Sequence, residues 1–284
     1  MSEYKLVSAN DRGKARYFRG RREILANFSL VLRRAIDESL EGNGTIFLIQ
    51  GAPGAGKTAL LYKCGELAQA GSDDTGGQKW NVIRIKDNAL YSPVSLMDQA
   101  EAAYKSGKTT EHSLEVKPKA LGAELAGYAR TTSHQEPDAG MRKCLEELAK
   151  KKPLLLVLDE VQSLGRGLNP YDKNVMRRIL DRILNGEISR PIVLLCGGLG
   201  NSEEAFMRLG ISRFRAKCLV NLGRLPEEDT RAVIHDWLVK EGEAQESDIQ
   251  SWIEAIARET HGWPQHIITY THPAAKLLQT QNGK

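Results

Sequence analysis

The chain has 284 residues, 41% of them hydrophobic and 27% charged, with a formal net charge of +4 at pH 7. That length can bury a sizeable core as one large domain, or as a main domain with a small companion, and the composition excludes disordered and fibrous classes. The mild positive charge permits an anionic partner without demanding one.

In chain order, REILANFSLVLRRAIDESL (22–40) sets Ile24, Leu25, Phe28, Val31, Leu32, Ile36 and Leu40 on one helix face. GNG at 42–44 ends that helix. Ile46–Gln50 reads as a short buried strand, and a glycine-rich loop then opens a helix from about Lys57 to Ala70. GSDDTGGQ (71–78) has loop composition, and WNVIRIK (80–86) alternates like a strand. Leu154–Leu158 and Ile192–Cys196 are all-apolar runs suited to central parallel strands, and 217–222 is a weaker one. Helical patterns near 93–105, 138–151 and 172–185 lie between them. Strands alternating with helices predict an α/β fold with a mostly parallel sheet.

Two regions break the rhythm. Residues 106–136 carry Gly, Thr, Ser and Pro without a sustained period and read as a mobile insertion between the second and third strands. After Leu222 the strands stop, and helical patterns at 226–241 and 247–259 precede HGWPQHIITY and another short helix near the end. The expected division is an α/β core at 1–222 and a small helical domain at 223–284. Cys64, Cys144, Cys196 and Cys218 lie far apart with no metal-ligand spacing, as packing thiols in a reducing compartment would. The opening MSEYKLVSANDRGK holds no apolar signal core, and no apolar run reaches the ~20 residues of a membrane helix. A cytoplasmic location without membrane contact is expected.

The chemistry starts at Gly51-Ala52-Pro53-Gly54-Ala55-Gly56-Lys57-Thr58, followed by Ala59. It fits G-x-x-x-x-G-K-[ST] completely, between a predicted strand and a predicted helix. Glycines let successive N–H groups face an anion, and the helix N-terminus adds its positive end. Lys57 can reach the β- and γ-phosphates and the Thr58 hydroxyl can ligate Mg²⁺. About 100 residues on, Lys152-Pro-Leu-Leu-Leu-Val-Leu-Asp159-Glu160 is an apolar strand ending in two acids. Asp159 can hold the Mg²⁺ shell and Glu160 can polarise an attacking water, which favours hydrolysis over passive binding.

With these two motifs the chain resembles the AAA+ ATPases and their STAND signalling relatives, over roughly residues 17 to 270. The motif pattern is most similar to origin-recognition-like and transposition-type members. The resemblance implies a P-loop NTPase three-layer sandwich with strand order 5-1-4-3-2 and a C-terminal helical lid. Tyr17-Phe18-Arg19-Gly20-Arg21-Arg22-Glu23 resembles the family's "GRE" element, which borders the adenine; a capping or solvated basic turn is the local alternative. The glycines after Cys196 lead to Asn201, which matches the polar residue that helps orient the water, or is a plain loop asparagine. Leu209-Gly-Ile-Ser-Arg213-Phe-Arg215 resembles the arginine-finger segment that reaches a neighbour's nucleotide. Arg213 is preferred to Arg215 because it follows the serine, and its planar fork suits phosphate charge; surface ion pairing is the other reading.

The chain departs from the family at His261-Gly262-Trp263-Pro264-Gln265-His266, where Gln265 stands in place of a sensor-2 arginine. Gly-x-Pro there is similar to the lids of STAND and origin-recognition proteins, with Pro264 fixing the start of the last helix. His261 and His266 suit capping or packing better than phosphate contact. A slow nucleotide switch therefore fits better than fast turnover.

The resemblance implies ATP and ADP as ligands, Mg²⁺ as cofactor and a homo-oligomer with a shared site. ATP over GTP rests on it alone, since no guanine-reading motif is evident. The expected function is an ATP-hydrolysing switch or remodeller, acting on DNA in replication or transposition. Basic residues at 11–22, with Lys117 and Lys119, are its charge basis, although no winged helix follows the lid in this sequence. The rival is a STAND-like signalling or scaffold module with little turnover, no DNA and an unidentified protein partner.

Overall fold

The computed structural model describes residues 17–37, 45–85, 93, 96, 145–146, 148–185, 191–211 and 216–282. The expected insertion at 106–136, most of the helical patterns near 93–105 and 138–151, and Arg213 lie outside the described residues. The elements are α1 (Arg22–Ile36), β1 (Thr45–Gly51), α2 (Lys57–Ala70), β2 (Asn81–Ile85), β3 (Leu154–Leu158), α3 (Pro170–Leu184), β4 (Ile192–Gly198), α4 (Ser202–Arg208), β5 (Ala216–Leu222), α5 (Glu227–Gly242), α6 (Glu246–Thr260) and α7 (Pro264–Asn282).

The five strands form one sheet in the order β2-β3-β4-β1-β5, which is 5-1-4-3-2 read from the other edge. β1 with β4, β4 with β3, and β3 with β2 are parallel pairs, with Phe47 opposite Leu195 and Leu156 opposite Leu194. Successive side chains alternate between the two faces. Ile46, Leu48, Leu154, Leu156, Leu158, Leu194 and Cys196 enter a core shared with α3 and α4 through Met176, Ile179, Leu180 and Phe206. Phe47, one residue out of phase, meets Phe28 of α1 edge-to-face at 5.3 Å. Helices thus cover both faces, which is why these strands read as unbroken apolar runs.

The chain divides into two compact units. One comprises Ala26–Gln50 and Cys64–Val220; the other gathers the described residues up to Leu25 with Gly51–Lys63 and the chain from Asn221 onward. The glycine-rich loop therefore groups with the C-terminal helices. In that unit α5, α6 and α7 bury Ile234, Leu238, Ile249, Ile253, Ile267, Ala274, Ala275 and Leu278. α7 runs 19 residues and carries Pro273 in its interior, so the short helix expected near the end is a long one. An interior proline costs about 3 kcal/mol; Ala274, Ala275 and Leu278, just beyond it, are buried in the helical core and offset that cost.

β4 also exceeds its expected end, taking in Gly197 and Gly198. A Cβ on Gly198 would lie 2.7 Å from Gln162 Oε1 and 3.0 Å from Val161 Cγ2, so glycine is what admits the turn after β3. Cys64 and Cys196 are buried free thiols, both pushed up by burial, Cys64 to about 12 although Arg84 pulls it down.

Candidate nucleotide-binding site

β1 delivers the chain into Gly51–Thr58 without an intervening element, and α2 starts at Lys57. Gly54 and Gly56 adopt φ of +78° and +89°, left-handed conformations that only glycine takes without penalty. The loop folds around its own lysine. Lys57 is 7% exposed, and its Nζ donates to the carbonyl oxygens of Gly51 and Ala52 at 3.0 Å each. The ammonium is thereby held inside the loop beside the first turn of α2. A cation, two left-handed glycines and a helix N-terminus together suit an anion.

The roof of this loop belongs to the same unit. Gln265 N–H donates to Gly54 O at 3.1 Å. A Cβ on Gly54 would stand 2.8 Å from Gln265 Cβ and 3.0 Å from Trp263 Nε1, while one on Gly56 would meet Pro264 at 3.7 Å. Pro264 is the first residue of α7, where its missing N–H costs nothing. His261 has φ +49° and caps α6 with its N–H on Ala257 O at 3.1 Å, and the side chains of His261 and His266 are exposed. That accords with the capping reading of His261.

The Tyr17–Glu23 stretch is stitched to the helical unit. Tyr17 Oη donates to Glu241 Oε1 at 2.7 Å, and its ring meets Trp237 edge-to-face at 5.3 Å. Arg19 Nε donates to Asp236 Oδ2 at 2.7 Å. Arg21, at φ +62°, donates to Arg224 O at 3.2 Å and also to Gly223 O. Burial pushes the Arg21 guanidinium down, and the Asp229 charge partly restores it.

In the other unit, β3 ends at Leu158, and Asp159 and Glu160 follow at the sheet's carboxyl edge. Asp159 Oδ1 accepts from the Glu160 N–H at 2.9 Å. Glu160 has φ +55° and caps a 3₁₀ turn, Val161–Ser163. For a non-glycine side chain this backbone is uncommon, and such outliers gather at functional sites. Gln162 donates from Nε2 to Glu160 Oε2 and accepts at Oε1 from Leu199 N–H at 3.1 Å.

Asn201 is exposed at the N-cap of α4 and makes no side-chain capping bond. Its neighbour Ser202 is fully buried, its Oγ donating to Leu199 O at 2.5 Å. Gln162 and Ser202 escaped the sequence reading. The available signal was the polar pair Gln162-Ser163 between Val161 and Leu164.

Comparison with known proteins bears on the whole arrangement. A profile described as "AAA ATPase domain" matches residues 17–195, more than half of the chain, and its match begins at Tyr17. No match was found among curated proteins. Among solved structures the chain is similar to the Aeropyrum pernix ORC2 protein in its ADPNP-ADP complexes (TM-score 0.53, 14% identity, 79% of this chain and 54% of that one). It is similar to Cdc6p from Pyrobaculum aerophilum (0.57, 15%, 98% and 67%). It is also similar to Drosophila ORC bound to DNA (0.56, 15%, 99% and 65%). The chain thus spans between about half and two-thirds of the length of these relatives. At such identity the likeness is one of fold. With the sheet order, the loop and the matched profile taken together, the chain belongs to the AAA ATPase domain family and has the fold of an origin-recognition-like P-loop ATPase.

Proposed function

We propose that this chain is an ATP-binding and ATP-hydrolysing AAA+ switch that works as a homo-oligomer. The observation that carries the reading is the buried Lys57, held by the carbonyls of Gly51 and Ala52 at the head of α2. A buried ammonium among backbone dipoles suits a polyanion that replaces those carbonyl contacts.

Gly51 to Ala59 bind the triphosphate, with Lys57 on the β- and γ-phosphates. Thr58 and Asp159 are the hard oxygen donors assigned to Mg²⁺. Among the described residues no three His, Cys, Asp or Glu side chains cluster as a metal cage. Phosphate and water oxygens would be the remaining Mg²⁺ ligands. When bound, Mg²⁺ supplies charge neutralisation at the phosphates. Glu160 takes the proton of the attacking water, Asn201 helps orient that water, and Pro264 sets the lid helix against the loop. Arg213 serves a neighbouring subunit's site. ATP titration and single-turnover hydrolysis, compared between the native chain and Lys57→Ala, test the reading: equal ATP affinity in both, or no hydrolysis by the native chain, would overturn it.

Gln265, seated on Gly54 in place of an arginine, favours slow turnover in which nucleotide sets the lid and hydrolysis resets it. DNA is the proposed target because one matched structure is bound to DNA and the chain is mildly basic. ATPase stimulation by DNA at low salt checks it. No stimulation would leave the scaffold reading, with a protein partner in place of DNA.

A further inference from the structure

The turn after β3 contains a buried side chain to which the proposed reaction gives no role. Gln162 is 9% exposed, and both ends of its amide are engaged. Leu199 N–H, a donor, meets one end at 3.1 Å, which fixes that end as the oxygen. The Nε2 end is therefore the one that faces Glu160 Oε2, and a carboxylate oxygen is the acceptor it needs. The amide cannot be flipped without setting donor against donor and acceptor against acceptor.

The backbone of Gln162 is held as well. Arg208 Nη2 donates to Gln162 O at 3.0 Å, and Arg208 also lies 3.9 Å from Glu204. Ser163 N–H and Oγ both bond Glu160 O, at 3.0 and 2.8 Å. Gly198 leaves the space that the amide oxygen occupies. Three segments thus converge on one residue, the turn after β3 and the end of β4 on its side chain and α4 on its carbonyl.

We propose that Gln162 is a positioning residue that holds the Glu160 carboxylate in register with the loop following β4. Its Nε2 fixes one carboxylate oxygen and leaves Oε1 directed to other work. Its Oε1 ties that orientation to Leu199, two residues before Asn201. A displacement of the 199–201 loop then moves the carboxylate, and a carboxylate freed from Nε2 rotates away from a fixed water. The inference rests on the reading of Glu160 as the group that activates water.

Gln162→Glu separates the two ends of the bridge. The new carboxylate still accepts from Leu199 N–H, but it sets an acceptor against Glu160. Gln162→Leu removes both bonds. Single-turnover hydrolysis with protein in excess of ATP, alongside ATP titration, is measured for the native chain, these two variants and Glu160→Gln. Gln162→Glu is expected to bind ATP as the native chain does and to lose about 10-fold or more in rate, part of the 10²–10⁴ that a placed general base contributes. The side-chain amide resonance of Gln162, identified by its disappearance in Gln162→Glu, is expected to shift in Glu160→Ala. A native rate in Gln162→Glu with Glu160→Gln stalled would overturn the positioning role and leave Glu160 standing. Loss of ATP affinity in step with rate, or an unmoved amide resonance, would also overturn it. Normal turnover in Glu160→Gln, or none in the native chain, would overturn the reading of Glu160 and this inference with it.

Discussion

Gln265 N–H bonds the carbonyl oxygen of Gly54 at 3.1 Å, so the glycine-rich loop caps α7. The first N–H groups of a helix have no partner within it. Pro264 lacks one, and the next is satisfied by a carbonyl 211 positions earlier in the chain, in the middle of that loop. Anything that reshapes Gly54 changes the capping of α7. Gly54→Ala is expected to cost about 1–2 kcal/mol for the left-handed backbone alone, with further loss from the 2.8 Å approach to Gln265 Cβ. Urea denaturation measures it; a variant as stable as the native chain would show that the loop and α7 are not coupled as described.

Lys57→Ala removes a side chain bonded to both Gly51 O and Ala52 O. ATP affinity is expected to fall by about 10-fold or more, that is at least ~1.4 kcal/mol. Calorimetric titration of ATP with Mg²⁺ checks it.

Glu160→Gln keeps the size and the backbone of its residue but not the basicity. ATP binding should persist while the rate falls by about 10²–10⁴, the usual contribution of a general base. Recovery of bound ATP, unhydrolysed, from the isolated variant is the signature to look for.

Asp236 is buried among charges of the opposite sign. Burial pushes its carboxyl up, yet the Arg19 hydrogen bond and charge, followed by Lys240, leave it below its ordinary value. A carboxyl depressed in the folded state stabilises above its unfolded pKa of ~3.9, and that stabilisation is lost as pH falls through the folded value. Arg19→Gln should therefore cost about 1 kcal/mol at neutral pH, a figure kept small because Arg19 is half-exposed. The difference from the native chain should close on acidification below the unfolded value. Denaturation curves for both proteins across that range give the answer, and a constant difference would remove Asp236 as the cause.

Cys64 and Cys196 are buried with raised thiol pKa values, and the thiolate is the reactive form. Neither should react with a thiol reagent in the native state, and both should react in urea. Modification of either before unfolding would contradict the packing described.

The sheet and the glycine-rich loop were legible because their signals are local. Ile46 to Gln50 buries as an apolar run, and Gly54, Gly56 and Lys57 declare their backbone needs within a few residues. Strand order was carried by the family resemblance, since no spacing in Leu154–Leu158 says that β4 separates it from β1. What the sequence hid is long in range. Gln265 on Gly54, Arg19 on Asp236 and Gln162 on Leu199 each join residues whose neighbours give no hint of the partner. The length of α7 was hidden for a related reason: the local cost of Pro273 is plain, while the burial of Ala274 and Leu278 that outweighs it depends on α5 and α6.

The attachment of Tyr17, Arg19 and Arg21 to Glu241, Asp236 and the carbonyls of Gly223 and Arg224 decides where this fold may be cut. A truncation just before Arg22 would spare every described strand and helix, and by element count would look harmless. It would nonetheless strip α5 of the Arg19–Asp236 ion pair and Trp237 of the Tyr17 ring, one of its two edge-to-face partners beside His272. Limited proteolysis of the segment ahead of α1 should accordingly loosen the C-terminal helices first, some two hundred residues away along the chain.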